Sequence, residues 1–178
     1  MVDFSVIVTF VVILGTTGLA AGRSFWRRYI LPLYLTFILF FFCQALFYSY
    51  RQYLGWRDSA PGKYLLPPYQ DITYFIQYAL YRFWSHFLVA LLFSLVVFCL
   101  AVYFNRKHQF RYFEAEEPYF FALAVFGVGY TGLLIYFPLL FLAQLVISHG
   151  HALLFRRLER ISFYYLWLGL AIVTILIN

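Results

Sequence analysis

The stretch from Tyr119 to Phe155, YFFALAVFGVGYTGLLIYFPLLFLAQLVISHGHALLF, holds 37 residues and no formal charge. A straight α-helix of that length would measure about 55 Å, whereas the hydrocarbon core of a bilayer is about 30 Å thick. Three glycines fall within six residues of its first half: Gly127, Gly129 and Gly132. Glycine supplies the backbone conformations that end a helix and reverse the chain. The pattern predicts two helices, near 118–129 and 132–155, with one long tilted helix as the alternative.

The rest of the chain shares this apolar character. Of 178 residues, 65% are hydrophobic, 25% are aromatic and only 11% are charged. A soluble domain carries about 25% charged residues, so this composition cannot cover a water-facing surface. It excludes a soluble enzyme, a disordered tail and a disulfide-stapled secreted module. We therefore expect a single integral membrane domain over residues 1–178.

Five apolar runs are separated by polar segments, at 4–21, 30–50, 83–104, 119–155 and 161–177. A helix needs about 20 apolar residues to cross the hydrocarbon core. The runs predict an all-α fold, a polytopic transmembrane helical bundle. It has six spans if 119–155 is divided, and five if that run is one long helix.

The distribution of basic residues favours six spans. In that arrangement the loops 22–29, 105–117 and 156–160 share one side and carry nine Lys and Arg, against four in the loop 51–82. With five spans the tally becomes seven against six, which is no bias. By the positive-inside rule, the six-span arrangement places both termini away from the cytoplasm or matrix.

Eight basic residues of the richer side are candidate contacts for anionic phospholipid headgroups, the natural ligands of such a cluster. Topology signalling alone would explain the same residues. No detached basic tail is present that would bind nucleic acid. The candidate headgroup residues are Arg27, Arg28, Arg106, Lys107, Arg111, Arg156, Arg157 and Arg160.

The 32-residue segment 51–82 is too long for a simple connection. Asp71 has the position of an N-cap, and apolar residues follow it at helical spacing with tyrosines on the other face. We expect an amphipathic helix near 71–82 that lies in the membrane interface or docks on a neighbour. The alternative is one helix over 71–104 whose first turns protrude. The residues that we expect to contact a partner are Ile72, Phe75, Ile76, Ala79 and Leu80.

Ionisable residues inside the apolar runs are rare, although such residues are the usual mark of a functional site in a membrane. In the six-span arrangement His86 lies on the opposite membrane face from His149 and His151, so these histidines are not expected to bind haem. Glu116 and Glu117 precede Pro118, as acidic residues do at the start of a helix. We therefore expect no cofactor, no metal and no catalytic residue.

Three local segments resemble the membrane core of type IV prepilin peptidases. They are Arg27-Arg28-Tyr29-Ile30-Leu31-Pro32-Leu33-Tyr34-Leu35-Thr36, then Ala122 to Leu134 with Gly129-Tyr130-Thr131-Gly132, and Arg160-Ile161-Ser162-Phe163 leading to Gly169. The three segments follow one another in the family's order, with similar spacing.

The resemblance implies a scaffold without peptidase activity. The family uses two cytosolic aspartates, and the first would fall near Phe25, where this chain has none. The second belongs to a Gly-x-Gly-Asp motif, whose place is taken by Glu116-Glu117-Pro118. Hydrolysis by a carboxyl pair would require one of these glutamates to act with Asp58 or Asp71, which the six-span arrangement puts across the membrane.

These features lead to one functional expectation. The chain is predicted to be a non-catalytic, multi-pass structural or accessory subunit of a larger membrane protein complex, in contact with lipids and neighbouring subunits. Its 40 Phe and Tyr residues suit packing by area and shape. Accessory subunits of respiratory complexes and ATP synthases have this character, which points to a mitochondrial inner membrane or a bacterial inner membrane.

Overall fold

The computed structural model describes the backbone of residues 4–109, 113–155 and 166–177, and the side chains of 28–109, 113–151, 153 and 166–177. In those residues the fold is all-helical, as the apolar runs predicted, and it contains no strand. The α-helices are α1 (Phe4–Asp58), α2 (Ile72–Ala79), α3 (Ser85–Lys107), α4 (Glu117–Phe155) and α5 (Leu166–Ile177). A 3₁₀ turn covers Gly62–Leu65, and a π-helical turn covers Leu80–Trp84.

Three helical stretches of the described chain are long and apolar enough to cross a membrane, as expected of an integral membrane protein. They are Arg28–Asp58, Ile72–Lys107 and Glu117–His151. Within the described residues α5 is apolar and spans 12 residues, fewer than each of these three stretches. The count of six spans is therefore not supported.

The predicted loop 22–29 between the first two apolar runs is wrong. Both runs lie in the single 55-residue helix α1, which continues through Pro32. Arginine is a good helix former, so a basic segment marks a change of polarity along a helix without ending it. At about 1.5 Å per residue α1 is roughly 80 Å long, far more than a hydrocarbon core needs.

The amphipathic helix after Asp71 is observed, but it is joined to the next helix. α2, the π-helical turn and α3 follow one another without an interruption, and the Ser85 hydroxyl donates to the Tyr81 carbonyl across the junction. No glycine or proline lies between Ile72 and Lys107, so nothing stops the helix. The chain thus follows the alternative of one long helix whose first turns precede the apolar run.

α4 is divided at Gly129, within the predicted glycine segment. Gly129 has φ 69° and ψ 173°, a conformation open almost only to glycine. The rings of Phe121 and Phe137 approach to 6.3 Å, whereas a straight helix would separate their Cα atoms by about 24 Å. The chain therefore turns back sharply, and we call residues 117–128 the first arm and 130–155 the second arm.

The first arm is the buried centre of the molecule. Its residues from Phe120 to Phe126 are buried, apart from the half-buried Phe121. The ring of Phe126 packs edge-to-face against Phe37 of α1 and Phe87 of α3. An arm of 12 residues is only about 18 Å long, which is shorter than a hydrocarbon core.

Close packing of α5 completes the bundle. A Cβ added to Gly132 would lie 2.5 Å from Val128 Cγ1 and 3.5 Å from Thr174 Cγ2. At the other end of α5 the Trp167 ring lies 4.5 Å from that of Phe121. α5 therefore runs parallel to the first arm, in contact with both arms.

Contacts along the helices define the two ends of the bundle. α1 and α3 are antiparallel, because Tyr34 pairs with Ser94 whereas the later Phe42 packs on the earlier Phe87. We call the end where α3 stops at Lys107 the basic end. We call the opposite end, which carries α2 and the last turns of α1, the aromatic end.

Candidate lipid-contact and partner-contact sites

Three candidate headgroup residues have described side chains, and all three lie on the side of the Tyr34–Ser94 contact that faces the basic end. Arg28 precedes the Tyr34–Ser94 contact on α1, and Arg106 and Lys107 follow it on the antiparallel α3, so all three point to the same end. Each is exposed, and the Arg28 guanidinium lies 5.6 Å from the Tyr29 ring centroid. Outside the described side chains lie Arg27, Arg111, Arg156, Arg157 and Arg160.

The five candidate partner-contact residues, four in α2 and Leu80 at the start of the π-helical turn, divide into two sets. Phe75 and Ala79 are buried in a small apolar cluster with Leu66 of the preceding loop. The exposed set is Ile72, Ile76 and Leu80. The sequence pattern does not separate the two sets, since every member has the spacing of one helical face.

Phe75 and Ala79 are buried because α2 packs on the last turns of α1. The Trp56 ring lies 5.4 Å from that of Phe75 and 4.8 Å from that of Tyr78, and Tyr53 packs on Phe75 from α1. This aromatic packing holds the 59–71 connection against α1. It leaves Ile72, Ile76 and Leu80 as a narrow apolar stripe at positions i, i+4 and i+8.

The predicted N-cap of α2 is confirmed. The Asp71 carboxylate accepts a hydrogen bond from the Thr73 hydroxyl at 2.6 Å and from the Thr73 backbone N–H at 2.8 Å. Both bonds favour the charged carboxylate, so the pKa of Asp71 is lowered from its usual value, with the hydroxyl as the larger cause.

The described interior contains hydroxyl groups that the sequence interpretation missed. Ser94 Oγ donates to the Ala122 carbonyl at 2.8 Å, which uses its one proton. Tyr34 Oη, 2.7 Å from Ser94 Oγ, is therefore the donor in that pair. The chain of bonds runs from α1 through α3 to the first arm. Ser94 stands out as a serine within an apolar run, which is the signal that could have identified it.

Two further buried hydroxyls are bonded in the same way. Tyr136 Oη donates to the Trp167 carbonyl at 3.2 Å, which joins the second arm to α5. Thr174 Oγ1 donates to the Leu170 carbonyl at 2.8 Å, within α5. Each of these groups has a structural acceptor for its proton, as buried polar groups require.

The acidic segment is buried at the basic end, at the start of the first arm. Glu117 is 2% exposed, and its Oε2 accepts the Glu114 backbone N–H at 3.1 Å, as a residue of a capping box does. Asn105 of α3 holds the preceding backbone by donating to the Phe113 carbonyl at 2.9 Å and accepting the Phe113 N–H at 3.0 Å.

The aspartates that a carboxyl pair would need lie at the aromatic end. Asp58 closes α1 and binds Arg57 at 2.9 Å, and Asp71 caps α2. The length of α3, about 34 Å for 23 residues, separates that end from Glu117. Carboxyl groups so far apart cannot share a proton.

The histidines are also dispersed. The His86 ring stacks on Tyr130 at 5.2 Å, beside the turn at Gly129. His149, whose Nδ1 lies 3.1 Å from the Leu145 carbonyl oxygen, is 19 residues farther along the second arm, about 28 Å away. Within the described residues no group of three or more His, Cys, Asp or Glu could hold a metal ion.

Comparison with known proteins adds no family to these observations. No protein-family model, curated protein or solved structure matches the chain.

Proposed function

We propose that this chain is a non-catalytic structural subunit that packs against other subunits of a larger membrane complex. The observation that carries the proposal is the bonding of the buried hydroxyls. Tyr34, Ser94, Tyr136 and Thr174 each direct their proton to an acceptor that joins or stabilises helices. A group committed in this way is not free to act as a nucleophile or general acid, so the interior serves packing.

The outward surfaces support the same proposal. Each of the three long helical stretches contains a strongly apolar segment of 18 residues, and only 22% of that segment is buried against the rest of the chain. The remaining apolar surface must be covered by lipid or by neighbouring helices. Aromatic side chains give a large contact area, and they are frequent in this chain.

We propose the stripe of Ile72, Ile76 and Leu80 as the place where a neighbouring subunit binds. The stripe is exposed and its backbone is fixed, because Phe75 and Ala79 on the adjoining face pack against α1. A surface that is held in place binds a partner with a smaller loss of conformational entropy. By analogy of composition, we place the complex among respiratory assemblies or ATP synthases of an inner membrane.

The test is solubilisation of native membranes in a mild detergent, followed by separation under native conditions. The chain is expected to migrate with an assembly much larger than its own 21.2 kDa. Migration as a free, folded monomer would contradict the proposal.

Site-specific photo-crosslinking locates the contact and supplies a matched control. A benzophenone amino acid at Ile76, which is 48% exposed, is expected to crosslink to another polypeptide. The same amino acid at the neighbouring Phe75, which is 9% exposed, should react within the chain. If the Ile76 probe reacts with lipid alone, the proposal that a neighbouring subunit binds this stripe is contradicted.

A second candidate is a prepilin-peptidase-like intramembrane protein without activity. Burial of Glu116 and Glu117 at the start of the first arm favours it, since buried carboxyl groups stand where the resemblance puts the family's second aspartate. Peptidase assays on prepilin-like substrates with the intact chain and with Glu117→Gln test this candidate. It predicts no cleavage by either protein, and cleavage that Glu117→Gln abolishes would contradict it.

A further inference from the structure

The last turns of α3 form an open groove that faces away from the bundle. Four of its residues present apolar or aromatic groups, and two basic residues close it at the basic end. All six recur at intervals of three or four residues, so they form one stripe of the helix. The lining residues are Phe98, Cys99, Val102, Tyr103, Arg106 and Lys107.

The apolar part of the groove is held in place by a contact with the bundle. The Phe98 ring packs at 4.8 Å on Tyr119 of the first arm, so the apolar part of the groove rests against the bundle. Tyr103 is exposed beside it, one turn before the basic residues. An aromatic residue at this level is typical of the zone where lipid headgroups meet acyl chains.

Arg106 and Lys107 are available to a ligand. Both side chains are exposed, and neither forms an ion pair in the part of the chain that the structure describes. Their position in the last turn of α3 is favourable for cations because of the helix dipole. The dipole stabilises positive charge at this end of the helix, but it does not neutralise the two side chains.

We propose that this groove binds one anionic phospholipid, with an acyl chain along Phe98, Cys99 and Val102 and the headgroup phosphate at Arg106 and Lys107. Charge complementarity selects this occupant: a zwitterionic lipid fits the apolar wall equally well but gains less from two adjacent cations. The site does not depend on the proposed subunit role, because it is built from α3 and the first arm alone.

The two exposed cysteines allow a direct test. Cys99 lies in the groove and Cys43 lies on α1, so each can carry a single bimane label while the other cysteine is replaced by serine. The labelled chain is reconstituted in phosphatidylcholine vesicles containing a minor fraction of brominated lipid, either phosphatidylglycerol or phosphatidylcholine. Bromine quenches the label only at short range, so quenching reports which lipid occupies the groove.

Brominated phosphatidylglycerol should quench the label at Cys99 more strongly than brominated phosphatidylcholine does. At Cys43 the two lipids should quench the label equally. One basic residue near a membrane surface contributes about fivefold to the binding of anionic lipid, so two give a preference of at most roughly 30-fold. The pair Arg106→Gln/Lys107→Gln should lose the preference, whereas Arg106→Lys/Lys107→Arg should keep it. Arg82→Gln, at the aromatic end, should leave it unchanged.

Four results would overturn the proposal. The first is equal quenching of Cys99 by both lipids, and the second is the same preference at Cys43, which reports general enrichment around a basic protein. The third is a preference that survives Arg106→Gln/Lys107→Gln. The fourth is a Cys99 label that neither lipid quenches while Cys43 is quenched, since protein would then cover the groove. If the double variant does not fold, either single substitution should still lower the preference about fivefold.

Discussion

Replacing Gly129 by alanine should destabilise the protein, although the new methyl group has room. No heavy atom lies within 4 Å of a Cβ added there, so the cost comes from the backbone alone. A non-glycine residue at φ 69° and ψ 173° costs about 1–3 kcal/mol. Alanine also restricts the unfolded chain, which recovers about 0.4–1 kcal/mol. Taking the middle of each range, we expect Gly129→Ala to lower the free energy of unfolding by about 1.3 kcal/mol.

Gly150 is the matched control, because it lies in the second arm and also has open space around an added Cβ. Its φ is not positive, so Gly150→Ala should stabilise the protein by about 0.4–1 kcal/mol. The assay is equilibrium unfolding in mixed micelles with a rising fraction of sodium dodecyl sulfate, followed by circular dichroism. The two variants should shift the midpoint in opposite directions. A shift to higher stability in both would mean that Gly129 is helical, and the reversal of α4 would then be refuted.

Because Tyr34 and Ser94 belong to one chain of buried hydrogen bonds, we expect Ser94→Ala and Tyr34→Phe to destabilise the protein by different amounts. Ser94→Ala removes the bond to the Ala122 carbonyl and leaves the buried Tyr34 Oη without an acceptor, at about 1–3 kcal/mol for that group, whereas Tyr34→Phe removes one bond worth about 1 kcal/mol. The same micelle assay measures both, and a Tyr34→Phe variant less stable than Ser94→Ala would contradict the donor order. For Asp71 the folded pKa is the lower one, so the cap contributes stability above the unfolded pKa of about 3.9 and loses it as the pH falls through the folded pKa. Asp71→Asn should remove this acid dependence of the helical circular dichroism signal between about pH 5 and pH 2, and an unchanged dependence would assign it to another carboxyl group.

Local signals in the sequence predicted the local structure well. The glycine segment predicted the division of α4, and Asp71 predicted the start of α2, because each depends on backbone geometry within a few residues. The loop predicted at 22–29 was wrong because that prediction depended on polarity and not on backbone geometry. Arginine in a helix carries charge but does not end the helix, so polarity alone could not place a break there.

The sequence could not predict which helices contact one another. Periodicity placed Phe75 and Ile76 on one side of α2, but only the position of Trp56 on α1 decides which of them is buried. The bond between Tyr34 and Ser94 joins residues 60 positions apart, and a pattern within one helix carries no information about it. Candidate sites on membrane helices therefore depend on which helices are neighbours.

The reversal at Gly129, which makes the first arm the buried centre, is tested most directly by a distance between two exposed positions. Spin labels are placed at Lys107→Cys and Leu142→Cys, with Cys43 and Cys99 replaced by serine. Gly129 is 12 residues after Glu117 and 13 before Leu142, so the second arm returns Leu142 to the basic end. Pulsed electron paramagnetic resonance should then give a separation of one to two helix spacings, about 10–20 Å. A straight α4 would carry Leu142 about 38 Å from Glu117, and thus from the basic end where Lys107 lies, so a separation near that value would contradict the fold.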